Sequence, residues 1–323
     1  MSTVTDALAT YSLIAIYSAM AVYTLAFIAF TFDLARRSAP APVTASVGGA
    51  VRAQGGRTTA LLERLATDGP APAPGRSTGA QRAAMALTII AWVLHVTADV
   101  LRGFAAGRVP WANLFEFTMT ATAIVVGVFL LAQLWQDFKF LGAYITGIVL
   151  ILLGLATVNF YVAVTPLPPA LQSYWLVLHV FVASLGTGFF AIGAGLSITQ
   201  LLQAHREQRG TGLKLLDTLP QAVKLENLAY RVILVGFVFW TFTLIAGAIW
   251  AERAWGRYWG WDTKEVWTFI IWVIFAGYIH ARATRGWRGT RSSVLAIVGF
   301  AAVIFNFTIV NIFFKGLHSY SGL

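Results

Sequence analysis

Cysteine is absent from the 323-residue sequence. A chain without thiols cannot form a disulfide, reduce one or carry a thioether-linked group of its own. Any thiol chemistry in which it takes part must therefore use sulfur atoms supplied by a partner. Charged side chains are also scarce, because Asp, Glu, Lys and Arg make up 11% of the residues, against about 25% in soluble domains.

The low charge is matched by a high apolar content. Hydrophobic residues account for 58% of the chain, and the mean hydropathy is +0.72. Too little polar surface remains to cover a water-soluble globule, so lipid must solvate much of the surface. The net charge of +10 does not indicate nucleic acid binding, because the basic residues lie in short segments between apolar runs and are typical of topology signals.

Eight apolar runs are long enough to cross a membrane, which takes about 20 residues per helix. The first run is expected to be retained rather than cleaved as a signal peptide, because no basic residue precedes it and Arg36 and Arg37 follow it. The pattern predicts an all-α, polytopic integral membrane protein with about eight transmembrane helices, at 9–32, 83–103, 115–135, 141–162, 174–203, 229–250, 264–283 and 292–314.

The distribution of basic residues predicts the orientation of these helices. With the N-terminus outside, 17 of the 23 Lys and Arg residues fall on the inner side, as the positive-inside rule requires. Both termini are therefore expected outside. The chain then divides into a first transmembrane helix at 1–37, a flexible cytoplasmic linker at 38–82 and a membrane domain at 83–323.

The most informative stretch is an aromatic segment, WGRYWGWDTKEVW, at 255–267. It lies in the predicted outer loop 250–267, between the sixth and seventh helices. One or two tryptophans would suffice to anchor helix ends at the membrane interface. Four tryptophans within 13 residues favour a platform for a flat, apolar and polarisable ligand.

Other residues of this segment fit the same interpretation. Gly256 and Gly260 would let the backbone approach a planar ligand closely. Asp262, with Arg257 and Lys264 nearby, could fix the geometry of the loop or meet acidic groups of the ligand. A porphyrin, which is an apolar disc with two carboxylates, has this shape and charge.

The segment WGRYWGWD, with Trp255, Gly256, Trp259, Trp261 and Asp262, resembles the WGxxWxWD signature, or WWD motif, of the haem-handling protein superfamily. Members of that superfamily include CcmC, CcmF and the System II cytochrome c biogenesis family CcsA, called ResC or CcsB in some bacteria. Four further segments are similar to the CcsA family, which implies an eight-span haem-handling domain over most of 83–323: RVPWANLFEF at 108–117, SYWLVLHVFVAS at 173–184, YIHARATRGWRG at 278–289 and KGLHSYSG at 315–322.

The five histidines differ in their expected roles. His179 lies just inside the outer end of the fifth helix, and His318 lies just past the outer end of the eighth, so both share a face with the tryptophan segment. Imidazole is a common haem ligand, and the resemblance assigns these two as external axial ligands of the haem iron. It assigns His280, near the inner end of the seventh helix, to a second haem site. His95, near the middle of the second helix, is compatible with haem ligation and equally with a structural or hydrogen-bonding role. His205 is expected to be solvated.

The resemblance implies a cytochrome c haem lyase or synthase that works in complex with a ResB-type membrane partner. Haem b would be a bis-histidine-ligated substrate that enters at His280, with the second ligand supplied by the partner, and is then transported to the outer site. There the thiols of a CxxCH segment of apocytochrome c, kept reduced by other proteins of the pathway, would form thioethers. No residue is singled out as a certain catalytic group. The expected location is the bacterial cytoplasmic membrane, with the haem site on the outer side.

Two alternatives remain open at this point. A haem transporter or chaperone without synthase activity, similar to CcmC, would have a shorter chain with fewer spans. A b-type electron-transfer subunit would hold haem permanently between histidines of facing helices, which leaves the tryptophan segment unexplained. In the outer segment before the third helix, Glu116 is expected to pair with an arginine or to line a docking surface, beside Pro110 and Asn113.

Overall fold

The computed structural model describes residues 3–38, 78–165, 167, 171–284, 286–314 and 316–318. All regular structure within these residues is helical, and eight helices are long and apolar enough to cross a membrane, which confirms the predicted fold class. They are α1 (Thr3–Ser38), α2 (Gly79–Ala106), α3 (Leu114–Ala132), α4 (Gly142–Asn159), α5 (Tyr174–Arg209), α6 (Ala222–Trp255), α7 (Thr263–Thr284) and α8 (Thr290–Phe307). A short helix, α9 (Ile309–Phe313), follows α8.

Several helices extend beyond the predicted spans, such as α1 and α6, and α2 extends into the predicted linker. Residues 39–77 of the predicted linker 38–82 lie outside the described residues, whereas residues 79–82 already belong to α2. The earlier start has a local cause, because the Thr78 hydroxyl accepts a hydrogen bond from the Gln81 amide at 3.0 Å and caps the helix. In the same way the predicted loop 250–267 is shorter than expected. Residues 250–255 end α6 and 263–267 begin α7.

α1 and α2 pack along a seam with alternating spacings of three and four residues, which is the pattern of a coiled coil. The seam contains many alanines, so the two helices approach closely. Its polar members include His95 of α2, which faces Tyr23 of α1. The buried seam residues of α1 are Ser12, Ile16, Ala19, Tyr23, Ala26, Phe30 and Asp33, and those of α2 are Gln81, Ala84, Thr88, Ala91, His95, Ala98, Arg102 and Ala105.

α5 lies at the centre of the larger part of the bundle and contacts α3, α4, α6 and α8. Small residues allow these close contacts, since a Cβ on Gly193 would lie 2.5 Å from Ile233 of α6. Phe190 of α5 stacks on Phe275 of α7 with ring centroids 3.7 Å apart, so the core is continuous across α5, α6 and α7.

The outer surface of the bundle carries many large apolar side chains. Ile14, Ile28, Ile151 and Val238, for example, lie on three different helices and are each more than half exposed. Such apolar side chains are suited to contact with lipid. The backbone is suited to it as well, because helices satisfy their own backbone hydrogen bonds. The fold is therefore that of a multi-pass membrane protein. In such a protein the buried polar groups are candidates for functional residues.

Candidate functional site

The predicted site residues other than His280 lie at one end of the bundle, where α5 begins, α6 turns into α7, and the chain leaves α9. Gly256 ends α6 in the left-handed region, with φ 70°, and nothing lies within 4 Å of the position of its missing Cβ. Gly256 thus terminates the helix, and its predicted role in close approach to a ligand stays a prediction. At the start of α5, the Ser173 hydroxyl accepts the Trp175 amide at 3.3 Å, which starts the helix close to His179.

His179 lies in the second turn of α5 and points towards α6. Its Nδ1 donates a hydrogen bond to the Thr243 carbonyl at 3.0 Å, because a carbonyl can only accept. A Cβ on Gly247 would lie 2.8 Å from this ring, so the absence of a side chain there admits the imidazole. The ring also stacks on Trp250, with centroids 5.9 Å apart and planes inclined by 22°.

His318 follows α9 and is held by the aspartate of the tryptophan segment. Its Nδ1 donates to Asp262 Oδ2 at 2.6 Å, and the Leu317 amide donates to Asp262 Oδ1 at 3.2 Å. The hydrogen bond from His318 lowers the pKa of the Asp262 carboxyl below its ordinary value despite partial burial, so the group stays ionised at neutral pH. A Cβ on Gly316 would clash with Asp262 Oδ1, so this approach requires glycine.

The two imidazoles share the same hydrogen-bonding arrangement. In each, a fixed acceptor holds the proton on Nδ1, which leaves the lone pair on Nε2. Among the described residues, no hydrogen bond of either Nε2 is present. Histidine ligands of metals characteristically donate their other N–H to a carbonyl or a carboxylate in this way.

Two tryptophans link the histidines. Trp250 contacts His179 and also lies edge-on to His318, with centroids 5.3 Å apart. Trp255 lies 5.0 Å from His318 and 4.8 Å from Trp250, again edge-on in both cases. These four rings form one cluster at the end of the bundle.

The connection between α6 and α7 is fixed by a carboxylate that sequence analysis did not single out. Glu265 Oε2 accepts the amides of Gly260 and Asp262 at 2.8 and 3.1 Å. A Cβ on Gly260 would lie 2.6 Å from the Arg257 guanidinium, so Arg257 packs across the turn. Arg257 and Asp262 both make contacts that shape the loop, as the loop-geometry alternative predicts, and contact with acidic groups of a ligand stays a prediction.

The two remaining tryptophans of the motif differ in position. Trp259 lines a cavity beside the histidines and lies edge-on to Trp261, with centroids 5.9 Å apart. Trp261 is 78% exposed and has a φ of 57°, which is unusual for a bulky residue. It does not line the cavity, so it presents an exposed indole surface at the rim.

The cavity lies between α3, α5, α6, α7 and α8 and has an empty volume of about 1330 Å³, which includes space open to solvent. A concave site with a mainly apolar and aromatic lining and a few polar groups is typical of a small-molecule site. The apolar lining is interrupted by several polar groups. These include His179, His318, Thr243, Lys264, Glu265, Asn306 and Asn311.

A buried ion-pair network supports the rim of the cavity. The Glu116 carboxylate accepts Arg102 Nε at 2.9 Å, Arg108 at 2.7 Å and the Ala112 amide at 3.0 Å. Asn113 caps α3 by accepting the Glu116 amide at 2.9 Å and also lines the cavity. The predicted pairing of Glu116 with an arginine is present, and its carboxylate is fully engaged in structure.

The other three histidines lie away from this cavity. His280 is exposed near the far end of α7. His95 is buried in the seam between α1 and α2, with Nδ1 3.4 Å from the Tyr23 hydroxyl, which supports a structural role. His205 is exposed near the far end of α5, as expected for a solvated residue.

Sequence analysis missed the part of the site that α6 contributes. Thr243, Gly247 and Trp250 follow a spacing of four and three residues, so they share one face of the helix. That spacing could have identified a common face. It could not have shown that His179 packs against this face, because the pairing of α5 with α6 is a tertiary contact.

Comparison with known proteins identifies the same family that the tryptophan segment resembles. The family model described as "Cytochrome C assembly protein" matches residues 111–318. The "Cytochrome c biogenesis protein CcsA" of Guillardia theta is 35% identical over 254 residues, which cover 73% of this chain and 84% of the relative. Proteins of the same name from Prochlorococcus marinus and Microcystis aeruginosa are 36% and 35% identical, over 68% of this chain in both cases and over 78% and 81% of their own lengths.

One solved structure, "Cytochrome c Heme Lyase CcmF", shares the fold. It superposes with a TM-score of 0.61 at 17% sequence identity and covers 93% of this chain. The chain spans about half of that structure's length, 46%. At this level of identity the likeness concerns the arrangement of helices.

Proposed function

This chain belongs to the CcsA family of cytochrome c biogenesis proteins, and from that premise we propose that it is the haem-bearing subunit of a cytochrome c synthase. A haem-handling role in cytochrome c biogenesis follows from the family. The finer proposal is that His179 and His318 hold haem b through its iron, and that the protein presents this haem for covalent attachment to apocytochrome c.

The observation that carries the proposal is the matched state of the two imidazoles. Each has Nδ1 engaged by an acceptor, at 3.0 Å for His179 and 2.6 Å for His318, and each therefore has an Nε2 lone pair for iron. Two such nitrogens can ligate one haem from opposite faces. The apolar cavity beside them is lined by Trp250 and Trp259, and Trp255 contacts Trp250 and His318, so aromatic contact area for a porphyrin lies close to both histidines.

The protein's contribution to the reaction is mainly position. An apocytochrome segment with the pattern Cys-x-x-Cys-His approaches the held haem, and each thiol adds across one vinyl group. Sulfur bonds to one vinyl carbon and the thiol hydrogen passes to the other, so no oxidant is consumed. Holding both reactants in place converts an encounter in solution into a local step. The acceptor's own histidine then replaces one of the two protein ligands.

The lack of cysteine suits this task, because the catalyst cannot trap its own substrate. His179 and His318 both lie at the end of the bundle and are only part-buried, so an acceptor can reach them. The exposed rim, with Tyr258 at 62% and Trp261 at 78% exposure, gives that acceptor an aromatic surface to contact.

A second haem site at His280 explains why the chain works with a ResB-type partner. His280 is exposed on α7, so a histidine of another membrane protein can complete the coordination there. Haem enters at this site and is transported to His179 and His318. The charge asymmetry supports an orientation in the bacterial cytoplasmic membrane with the tryptophan segment outside.

The proposal is tested by removing each external ligand. His179→Ala and His318→Ala should each abolish maturation of c-type cytochromes and remove the bis-histidine spectrum of the purified protein, whereas His205→Ala should have no effect. Haem on the wild-type protein should transfer to a reduced CxxCH peptide and should need both thiols for the complete product. If both variants mature cytochromes normally and haem never leaves the wild-type protein, a permanent b-type haem is the better account.

A further inference from the structure

The cavity contains a lysine whose hydrogen bonds, among the described residues, go to neutral acceptors. Lys264 lies in the first turn of α7 and lines the cavity. Its ammonium donates to the Asn306 carbonyl at 3.2 Å and to Asn311 Oδ1 at 2.5 Å. An ammonium has three donors, so one N–H remains for a further acceptor.

Among the described residues neither nearby carboxylate is hydrogen-bonded to the Lys264 ammonium, although Glu265 Oε1 is buried without a hydrogen-bond partner. Asp262 accepts from His318 and Leu317, and Glu265 accepts from Gly260 and Asp262. Within the described part of the chain, Lys264 forms no ion pair, and it is the one lysine or arginine among the cavity-lining residues. A cation held in an apolar cavity is unfavourable unless a ligand supplies the opposite charge.

The position of this ammonium is set by the break between α8 and α9. Thr308 interrupts the helix with φ −101° and ψ −73°, and Lys264 bonds on both sides of it, to Asn306 and Asn311. The Asn306 side chain in turn donates to the Thr268 hydroxyl at 3.3 Å, and Asn311 donates to the Phe307 carbonyl at 2.7 Å. Lys264 is therefore anchored rather than free to turn towards solvent.

We propose that Lys264 binds a propionate carboxylate of haem and thereby fixes how the macrocycle is rotated in the cavity. This inference rests on the proposed function of His179 and His318. Two axial ligands hold the iron at the centre of the disc but leave rotation about the nitrogen–iron–nitrogen axis free. One ion pair away from that axis removes this freedom, so it selects which edge of the haem, and hence which vinyl groups, face the acceptor.

The proposal is tested without any mutation by comparing two ligands. Haem and its dimethyl ester have the same iron, ring and vinyl groups, but only haem carries propionate charges. The purified wild-type protein, titrated by visible absorbance, should bind haem roughly 10- to 100-fold more tightly than the ester, the range expected for a charge-assisted hydrogen bond. Equal affinity for the two would overturn the role of the propionate and leave bis-histidine ligation intact.

Variants then assign the preference to one side chain. Lys264→Met should remove the preference for haem over the ester, and Lys264→Arg should retain most of it. Arg253→Gln is the matched control, because this cation is exposed on α6 and pairs with Glu252 at 3.5 Å, and it should bind as the wild type does. A full preference in Lys264→Met that elutes and unfolds like the wild type would refute the inference. A wild-type protein that binds neither porphyrin would instead refute the proposed function.

Discussion

Replacing Asp262 by asparagine tests the idea that its carboxylate selects the tautomer of His318 with the proton on Nδ1. The carboxylate accepts two hydrogen bonds, from His318 Nδ1 at 2.6 Å and from the Leu317 amide at 3.2 Å. Asparagine has nearly the same shape but offers one acceptor oxygen and one donor NH₂ group. It can therefore serve only one of the two N–H groups in their present arrangement.

Either orientation of the amide weakens the hydrogen bonding that positions His318 as an iron ligand. If the oxygen faces His318, the NH₂ group opposes the Leu317 amide and the charge assistance is lost. If the NH₂ group faces His318, Nδ1 must become an acceptor, and the ring proton moves to Nε2, the atom that would bind iron. The hydrogen bond is largely shielded, since the two side chains are 18% and 7% exposed. A bond of this kind contributes about 1.5–3 kcal/mol, which corresponds to roughly 10- to 100-fold in affinity.

The assay is a haem titration of the purified protein, with the low-spin bis-histidine spectrum as a second readout. Asp262→Asn should weaken haem binding by roughly 10- to 100-fold, in agreement with the general effect of groups that orient metal ligands. Asp217→Asn is the matched control, because that aspartate is also ion-paired, to Arg206, but is 61% exposed and far along the chain from the cavity. Unchanged affinity and an unchanged spectrum in Asp262→Asn would refute the reasoning.

Three further predictions concern other parts of the proposal. Trp259→Ala should weaken haem binding by about 0.5–1.5 kcal/mol. Trp261→Ala should leave haem binding unchanged and slow transfer to the acceptor. The reverse pattern would show that Trp261 rather than Trp259 contacts the haem. His280→Ala should lower the haem content of the complex with the partner, with partial recovery in imidazole, and an unaltered haem content would return this residue to a structural role. Topology reporters fused at Gly56 and Arg257 should report opposite sides of the membrane, and the same side for both would contradict the proposed orientation.

The membrane fold was predictable because its signals are local. The length of each apolar run decides whether a helix can cross a bilayer, and each predicted run corresponds to a helix. Helix ends were less predictable. The start of α2 at Gly79 is capped by a hydrogen bond from the Gln81 amide to the Thr78 hydroxyl. The hydropathy of the sequence does not predict this bond.

The site was predictable where one segment contains several of its residues. The tryptophan motif brings Trp255, Trp259 and Asp262 into one stretch, so it is visible in the sequence alone. Trp250 was missed because it lies in an apolar run, where a tryptophan is ordinary. Its contacts with His179 and His318 depend on how three separate segments pack.

The amino-acid sequence by itself determined that the chain is a multi-pass membrane protein, which residue types are available for haem, and that no thiol is among them. Only the tertiary structure decided what the polar groups of the motif do: Arg257 packs on Gly260, Asp262 orients His318, and Lys264 faces the cavity. The physical reason is distance along the chain. Apolar length and helix period depend on neighbouring residues, whereas the partner of a side chain depends on which helices meet, and His179 meets Thr243 only because α5 and α6 pack together.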